Sequence, residues 1–179
     1  MRNAQILIAG FGGQGILFAG KFLAYQALSE GRQLSWLPSY GPEMRGGTAN
    51  CSVIISDDPV GSPIVTDPDV LVCMNLPSLD KYEGAVKAGG IIISDSSLIA
   101  RKVEREDVKA FYIPATQMAN EAGMPTLANM IMMGKLIRET AIIDFDGVEE
   151  TMSHLVSARH RDMLALNVKA LRMGYEYAN

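Results

Sequence analysis

Ile6-Leu7-Ile8-Ala9-Gly10-Phe11-Gly12-Gly13-Gln14-Gly15-Ile16 is the stretch that decides the fold. Four apolar residues in a row read as a buried strand. The glycine run ends it at once, and Ile16 to Leu28 resumes with a helical period. Ile16, Leu17, Ala19, Gly20, Leu23, Ala24, Ala27 and Leu28 form a broad apolar face, and Gly20 and Ala24 are small enough for close approach to a sheet. Gly31 ends the helix, and Leu34 to Leu37 is a second short strand. The first forty residues therefore read as strand, loop, helix, strand.

Downstream, alternation over Thr48 to Ser56 predicts a strand. Val70–Met74, Ile91–Ser94 and Val108–Ile113 predict three more. Helices are expected over Leu79–Ala88, Ala115–Ala122, Thr126–Thr140, Val148–Leu155 and Arg161–Tyr175. Gly123 and Pro125 separate the second of these from the third. Strands alternating with helices imply one α/β domain over residues 1–179, a mostly parallel sheet flanked by helices, with a Rossmann-like glycine loop after the first strand. No internal repeat or linker divides it.

The 179 residues are 48% hydrophobic and 20% charged, which suits a packed core and excludes wholesale disorder. Sixteen basic against twenty acidic residues, net −4, disfavour a nucleic-acid binder. No apolar run reaches the roughly 18–20 residues of a membrane span, and the first residues lack a secretory apolar region. The expectation is a cytoplasmic protein with reduced cysteines. Cys51 and Cys73 are too few for a disulfide framework or a cysteine-ligated cluster. Both fall in strand patterns and read as buried and inert. The only histidines, His154 and His160, read as a structural helix residue and a solvated helix start. Met130, Met132 and Met133 read as core or interface filling.

Two loops carry candidate chemistry. Gly10, Gly12 and Gly15 match G-x-G-x-x-G between a strand and a helix, with Gly13 and Gln14 inside the turn. Glycine lets backbone approach a ligand, and the helix start offers free N–H groups to a phosphate. The alternative is that these glycines only permit tight strand–helix packing. NAD is disfavoured, because the second strand ends Ser35-Trp36-Leu37-Pro38 with no acidic residue for a ribose, and Glu30 lies on the wrong side of Gly31. A P-loop is excluded, because no Gly-Lys-Ser/Thr follows. The second loop, Ser39 to Thr48, sets Tyr40, Glu43 and Arg45 among prolines and glycines that include Gly46 and Gly47. Arg45 can clamp a carboxylate or phosphate and Glu43 can orient it; the alternative is an exposed turn with a surface ion pair. Loops beyond strand ends are where open α/β sheets bind ligands, which puts the two segments near each other. No nucleophile–base–acid set emerges, so the chain reads as incomplete for catalysis alone.

Ile8 to Ile16, then Ser39-Tyr40-Gly41-Pro42-Glu43-Met44-Arg45-Gly46-Gly47-Thr48-Ala49, then Ser62-Pro63-Ile64, closely resemble the gamma subunit of 2-oxoacid:ferredoxin oxidoreductases, the 2-oxoglutarate or branched-chain type nearest. Phe11 is a mild departure from that pattern. The resemblance implies an enzyme that converts a 2-oxoacid to an acyl-CoA and passes electrons to ferredoxin. It implies thiamine diphosphate, Mg and iron–sulfur clusters carried by other subunits, so this chain binds none of them tightly. Alpha and beta subunits are the implied partners, with room for a delta subunit, and the exposed interface would make the isolated chain self-associate. Under the resemblance, Gly10, Gly12, Gly13, Gln14 and Gly15 seat a CoA pyrophosphate, and Tyr40, Glu43, Arg45, Gly46 and Gly47 face the active-site region or a partner. The reading from a different class is a stand-alone phosphate- or nucleotide-binding α/β protein using the glycine loop.

Overall fold

The computed structural model describes residues 1–39 and 48–178. Six strands form one sheet: β1 (Ala4–Phe11), β2 (Gln33–Ser39), β3 (Thr48–Ser56), β4 (Val70–Cys73), β5 (Ile91–Asp95) and β6 (Lys109–Ile113), in the order β2-β3-β1-β4-β5-β6. β1, β4, β5 and β6 run parallel, while β3 is antiparallel to both β1 and β2. Only β3 therefore opposes the common direction. The helices are α1 (Ile16–Ser29), α2 (Leu76–Tyr82), α3 (Ala115–Glu121), α4 (Ala128–Thr140), α5 (Val148–Leu155) and α6 (Arg161–Glu176).

The central strands are continuous apolar runs because both faces are covered. Ile6 and Ile8 join the core beneath α1 and α4, while Leu7 joins Leu71, Cys73, Leu79 and Ile92 on the α2 side. β2 is an edge strand and only half-buried, which matches its mixed polarity. Gly20 is a close-approach position: a Cβ there would lie 3.0 Å from Trp36 Nε1 on β2. Eleven of the thirteen α4 residues are buried, so α4 is an internal helix rather than a surface one. α6 covers it, and the two backbones touch at Gly134 and Gly174, where an added methyl would collide with the facing helix's carbonyls.

Two expectations change in detail. The helix expected over Leu79–Ala88 begins earlier, at Leu76, because Asn75 caps it: its side chain accepts from Ser78 N–H at 2.9 Å, and Pro77 sits in the first turn. It passes into a short 3-10 turn at Glu83–Ala85. The second change concerns the opening strand–helix–strand unit. β2 is not the neighbour of β1, because β3 lies between them. The edge where a dinucleotide-binding fold presents a ribose-binding acid is therefore displaced by one strand, which adds a geometric reason against NAD.

α1 leaves β1 on one face and α2 leaves β4 on the other. The adjacent pair β1/β4 is thus the topological switch point, the place where open α/β sheets form a crevice at the strand C-terminal ends.

Candidate functional site

The glycine loop lies at that switch point and is organised by one side chain. Gln14 folds back over the turn, where its Oε1 accepts from Phe11 N–H at 2.6 Å. Its Nε2 donates to Met74 C=O at 2.9 Å, just beyond the end of β4. The Gln14 N–H itself donates to Phe11 C=O at 3.2 Å. One amide thus ties the end of β1 to the end of β4.

The six-residue motif, Gly10 to Gly15, divides into two jobs. Gly10 and Gly15 are packing glycines: a Cβ at Gly10 would press on Gln14, Ile16 and Met74, and one at Gly15 would strike Asn129 on α4. Gly15 also needs its left-handed φ of 74° to cap α1. Gly13, at φ 93°, meets nothing within 4 Å and faces open space. With Phe11, Gly12, Leu17, Phe18 and Ala49 it borders a groove of about 280 Å³.

The groove is suited to an anion. The first bond of α1 runs from Ala19 N–H to Gly15 C=O at 3.0 Å. The N–H groups of Ile16, Leu17 and Phe18 therefore have no acceptor within the helix. No side chain caps this end, and no acidic residue sits in the first turn. The positive end of a 14-residue helix is left uncompensated by its own residues. Against this, Gln14 occupies the Phe11 N–H, so that donor is closed to a ligand. Packing governs Gly10 and Gly15, while Gly12 and Gly13 border the open groove.

Tyr40, Glu43, Arg45, Gly46 and Gly47 lie outside the described residues. The flanking strands bear on where that segment is anchored. Thr48 stands opposite Phe11 in the β1/β3 register, and Ser39 opposite Asn50 in β2/β3. Ser39 and Thr48 thus lie at the same end of the sheet as the glycine loop.

The remaining titratable groups of this edge are structural. Asp95, fully buried, was not apparent from sequence; its carboxylate accepts from Thr116 N–H at 3.1 Å, Thr116 Oγ1 at 2.6 Å and Ser97 N–H at 3.0 Å. It clamps the end of β5 to the start of α3. Cys51 and Cys73 are buried. Burial pushes the Cys51 thiol up to about 12 and raises Cys73 as well; neither is a nucleophile at neutral pH. His154 and His160 are exposed, and Met130, Met132 and Met133 fill the core. Among the described residues no three His, Cys, Asp or Glu side chains converge as a metal site, and no helix is long and apolar enough to cross a membrane.

A sheet of this order, with a glycine loop and an open helix start at the β1/β4 switch point, defines an α/β domain in which no catalytic set converges among the described residues. The chain belongs to the pyruvate ferredoxin/flavodoxin oxidoreductase family, whose profile matches residues 5–177. The 2-oxoglutarate synthase subunit KorC of Methanocaldococcus jannaschii is 37% identical over 177 residues, covering 97% of this chain and 93% of KorC. The ketoisovalerate oxidoreductase subunit VorA of Methanothermobacter marburgensis is 41% identical over 178 residues, 99% of this chain but only 37% of VorA. Among solved structures, the keto/oxoacid ferredoxin oxidoreductase gamma subunit of Geobacter sulfurreducens superposes with a TM-score of 0.82 at 30% identity, covering 96% of both chains. The 2-oxoglutarate:ferredoxin oxidoreductase of Magnetococcus marinus, solved with 2-oxoglutarate, coenzyme A and succinyl-CoA, superposes with a TM-score of 0.86 at 25% identity, over 98% of this chain and 31% of that one.

Proposed function

We propose that this chain is the gamma subunit of a multi-subunit 2-oxoacid:ferredoxin oxidoreductase, and that its glycine-loop groove seats the pyrophosphate of CoA. The carrying observation is the end-to-end correspondence with KorC, a chain of nearly the same extent. The longer VorA, to which this chain corresponds over 37% of its length, fits the same reading, with this domain joined to further ones on a single polypeptide.

Within the complex, this chain's part is binding and positioning. The N–H groups of Ile16, Leu17 and Phe18 meet the pyrophosphate, Gly12 and Gly13 let it approach, and Gln14 holds the turn in shape. Two buried cysteines on different strands cannot ligate a four-cysteine cluster. Iron–sulfur clusters, and with them thiamine diphosphate and Mg, are therefore assigned to alpha, beta and delta subunits. Arg45, two strands from α2 in sequence order and just before β3, is assigned to a carboxylate or phosphate at the junction with those partners. We assign the complex to the cytoplasm, where CoA and ferredoxin are available.

A tagged chain recovered from its own cells tests the subunit assignment. The expected result is co-purification of thiamine diphosphate- and iron–sulfur-bearing subunits. A lone chain that carries a bound nucleotide would instead support the stand-alone alternative. Replacing Gly12 by a bulky residue tests the groove: CoA-dependent turnover of the assembled enzyme should weaken, and unchanged CoA kinetics would remove the groove from the account.

A further inference from the structure

β1, β3 and β2 are neighbours in the sheet, and none of their residues is charged, in a chain that is 20% charged. One face of this three-strand unit is covered. Leu34 and Trp36 of β2, with Cys51 and Val53 of β3, pack into the core on the α1 side. Side chains alternate along a strand, so Gln33, Ser35 and Leu37 point to the opposite face, with Asn50 and Ile54 of β3 and Phe11 of β1. There α2 reaches β3 through Tyr82, whose hydroxyl accepts from Asn50 Nδ2 at 3.0 Å. Beyond that contact the face is open. Leu37 is 41% and Phe11 43% exposed, Gln33 is exposed, and Ser35, Asn50 and Ile54 are half-buried.

A solvated edge strand is ordinarily protected by charged side chains, lysine above all, and β2 has none. Its one guard is Pro38, which lacks an N–H and so stops a further strand from extending the sheet along its full length. What remains available is the face, not the edge. Ion pairs stand around it: Arg32 with Asp57 just after β3, and Arg101 with Asp80 on α2. An uncharged centre with exposed leucine and phenylalanine, bounded by charge, is the anatomy of a protein interface.

The area constrains the occupant. Three strands about 4.8 Å apart, each with about seven residues of about 3.4 Å, present about 350 Å². Two copies of this chain meeting face to face would bury about 700 Å² in total, short of the roughly 1,000 Å² of a specific interface. The occupant therefore extends past the face, over Phe11 and the 40%-exposed Leu76 at the strand ends. In VorA the corresponding domain is 37% of a longer chain, so a neighbour of different sequence stays beside it there. We infer that this face docks another subunit of the oxidoreductase, through a surface that is apolar where it meets Leu37 and Phe11, supplies hydrogen bonds to Gln33, Ser35 and Asn50, and places no charge at its centre. The identity of the occupant rests on the function proposed above.

Leu37→Arg in the tagged full chain, recovered from its own cells, tests this docking face. The other subunits should co-purify with the parent chain, and their recovery should fall at least about tenfold with the variant, because its charge would be buried without a partner. Leu28→Arg, at another exposed leucine on the α1 side, should leave recovery at the parent level. The isolated Leu37→Arg chain should melt like the parent. Hydrogen exchange needs no variant: the β2 amides should exchange at least about tenfold more slowly in the complex than in the isolated chain. Full recovery of the other subunits by Leu37→Arg, equal loss with Leu28→Arg, or β2 exchange unchanged by assembly would each overturn the docking face. A dimer of the isolated chain that Leu37→Arg dissolves, with assembly unimpaired, would give the face to a second copy instead. A parent chain that recovers no other subunit would overturn the subunit assignment itself, so the two failures are told apart.

Discussion

Replacing Gln14 by alanine is the most informative single perturbation of the glycine loop. The side chain makes two hydrogen bonds, from Phe11 N–H at 2.6 Å and to Met74 C=O at 2.9 Å. A typical net contribution is about 1 kcal/mol for each, so about 2 kcal/mol of stability should be lost. For a chain of this size that corresponds to a fall in melting temperature of about 4–8 °C. The loss has a functional counterpart. Without the amide bridge, backbone bonds such as Met74 N–H to Ala9 C=O still join the strands, but the glycine turn loses the side chain that fixes it, and the loop wall of the groove loses its set position. In the assembled enzyme the KM for CoA should rise severalfold while the KM for the 2-oxoacid stays put. Differential scanning calorimetry on the chain and steady-state kinetics on the complex read the two effects. A variant that melts within about 1 °C of the parent would refute the bridging role. One that melts lower but keeps the parent KM for CoA would detach the bridge from binding.

Gly15→Ala should cost about 1–2 kcal/mol in backbone strain at its left-handed φ, and more from the displacement of Asn129; chemical denaturation measures it, and a neutral result would contradict the described turn. Gly174→Ala should be worse, above about 3 kcal/mol, because α4 and α6 meet backbone to backbone there; hydrogen exchange should show α6 loosening first. Cys51 has a thiol raised to about 12 by burial, against an ordinary value of 9.0. A raised folded value means that its contribution is whole below about pH 9 and is lost as pH climbs towards 12. Stability should therefore decline over that window, and Cys51→Ala should remove about 1.4 kcal/mol per pH unit of the slope. At pH 8 in native buffer a thiol reagent should label neither cysteine, and labelling should appear only with denaturant.

Much of this architecture is legible in the chain itself, for physical reasons that differ by element. β3 is readable to the residue because Ala49, Cys51, Val53 and Ile55 all face the α1 side of the sheet and are buried there. β4 and the Ile91–Ile93 run of β5 are readable because strands buried on both faces favour unbroken apolar runs. α2 was misplaced for a local reason: Leu79 carries the buried face, but the start is set by the Asn75 cap and Pro77 upstream of it. Strand order is not written in periodicity, so nothing short of the fold reveals that β3 separates β1 from β2. The glycine motif is visible at once, yet which glycines pack and which stay open depends on Gln14, Met74 and Asn129, two of them distant in sequence. That Leu37 and Phe11 share one open face was not legible either, because an uncharged strand reads the same whether or not a helix covers it.

Reconstitution of the complex from separately purified subunits, with and without this chain, bears most directly on the central claim. CoA-dependent oxidation of a 2-oxoacid would be followed by reduction of a viologen. The account predicts that activity appears only when this chain is added, and that Gly12 carrying a bulky side chain supports assembly but restores little CoA-dependent turnover. Full activity of the other subunits in its absence would contradict the account.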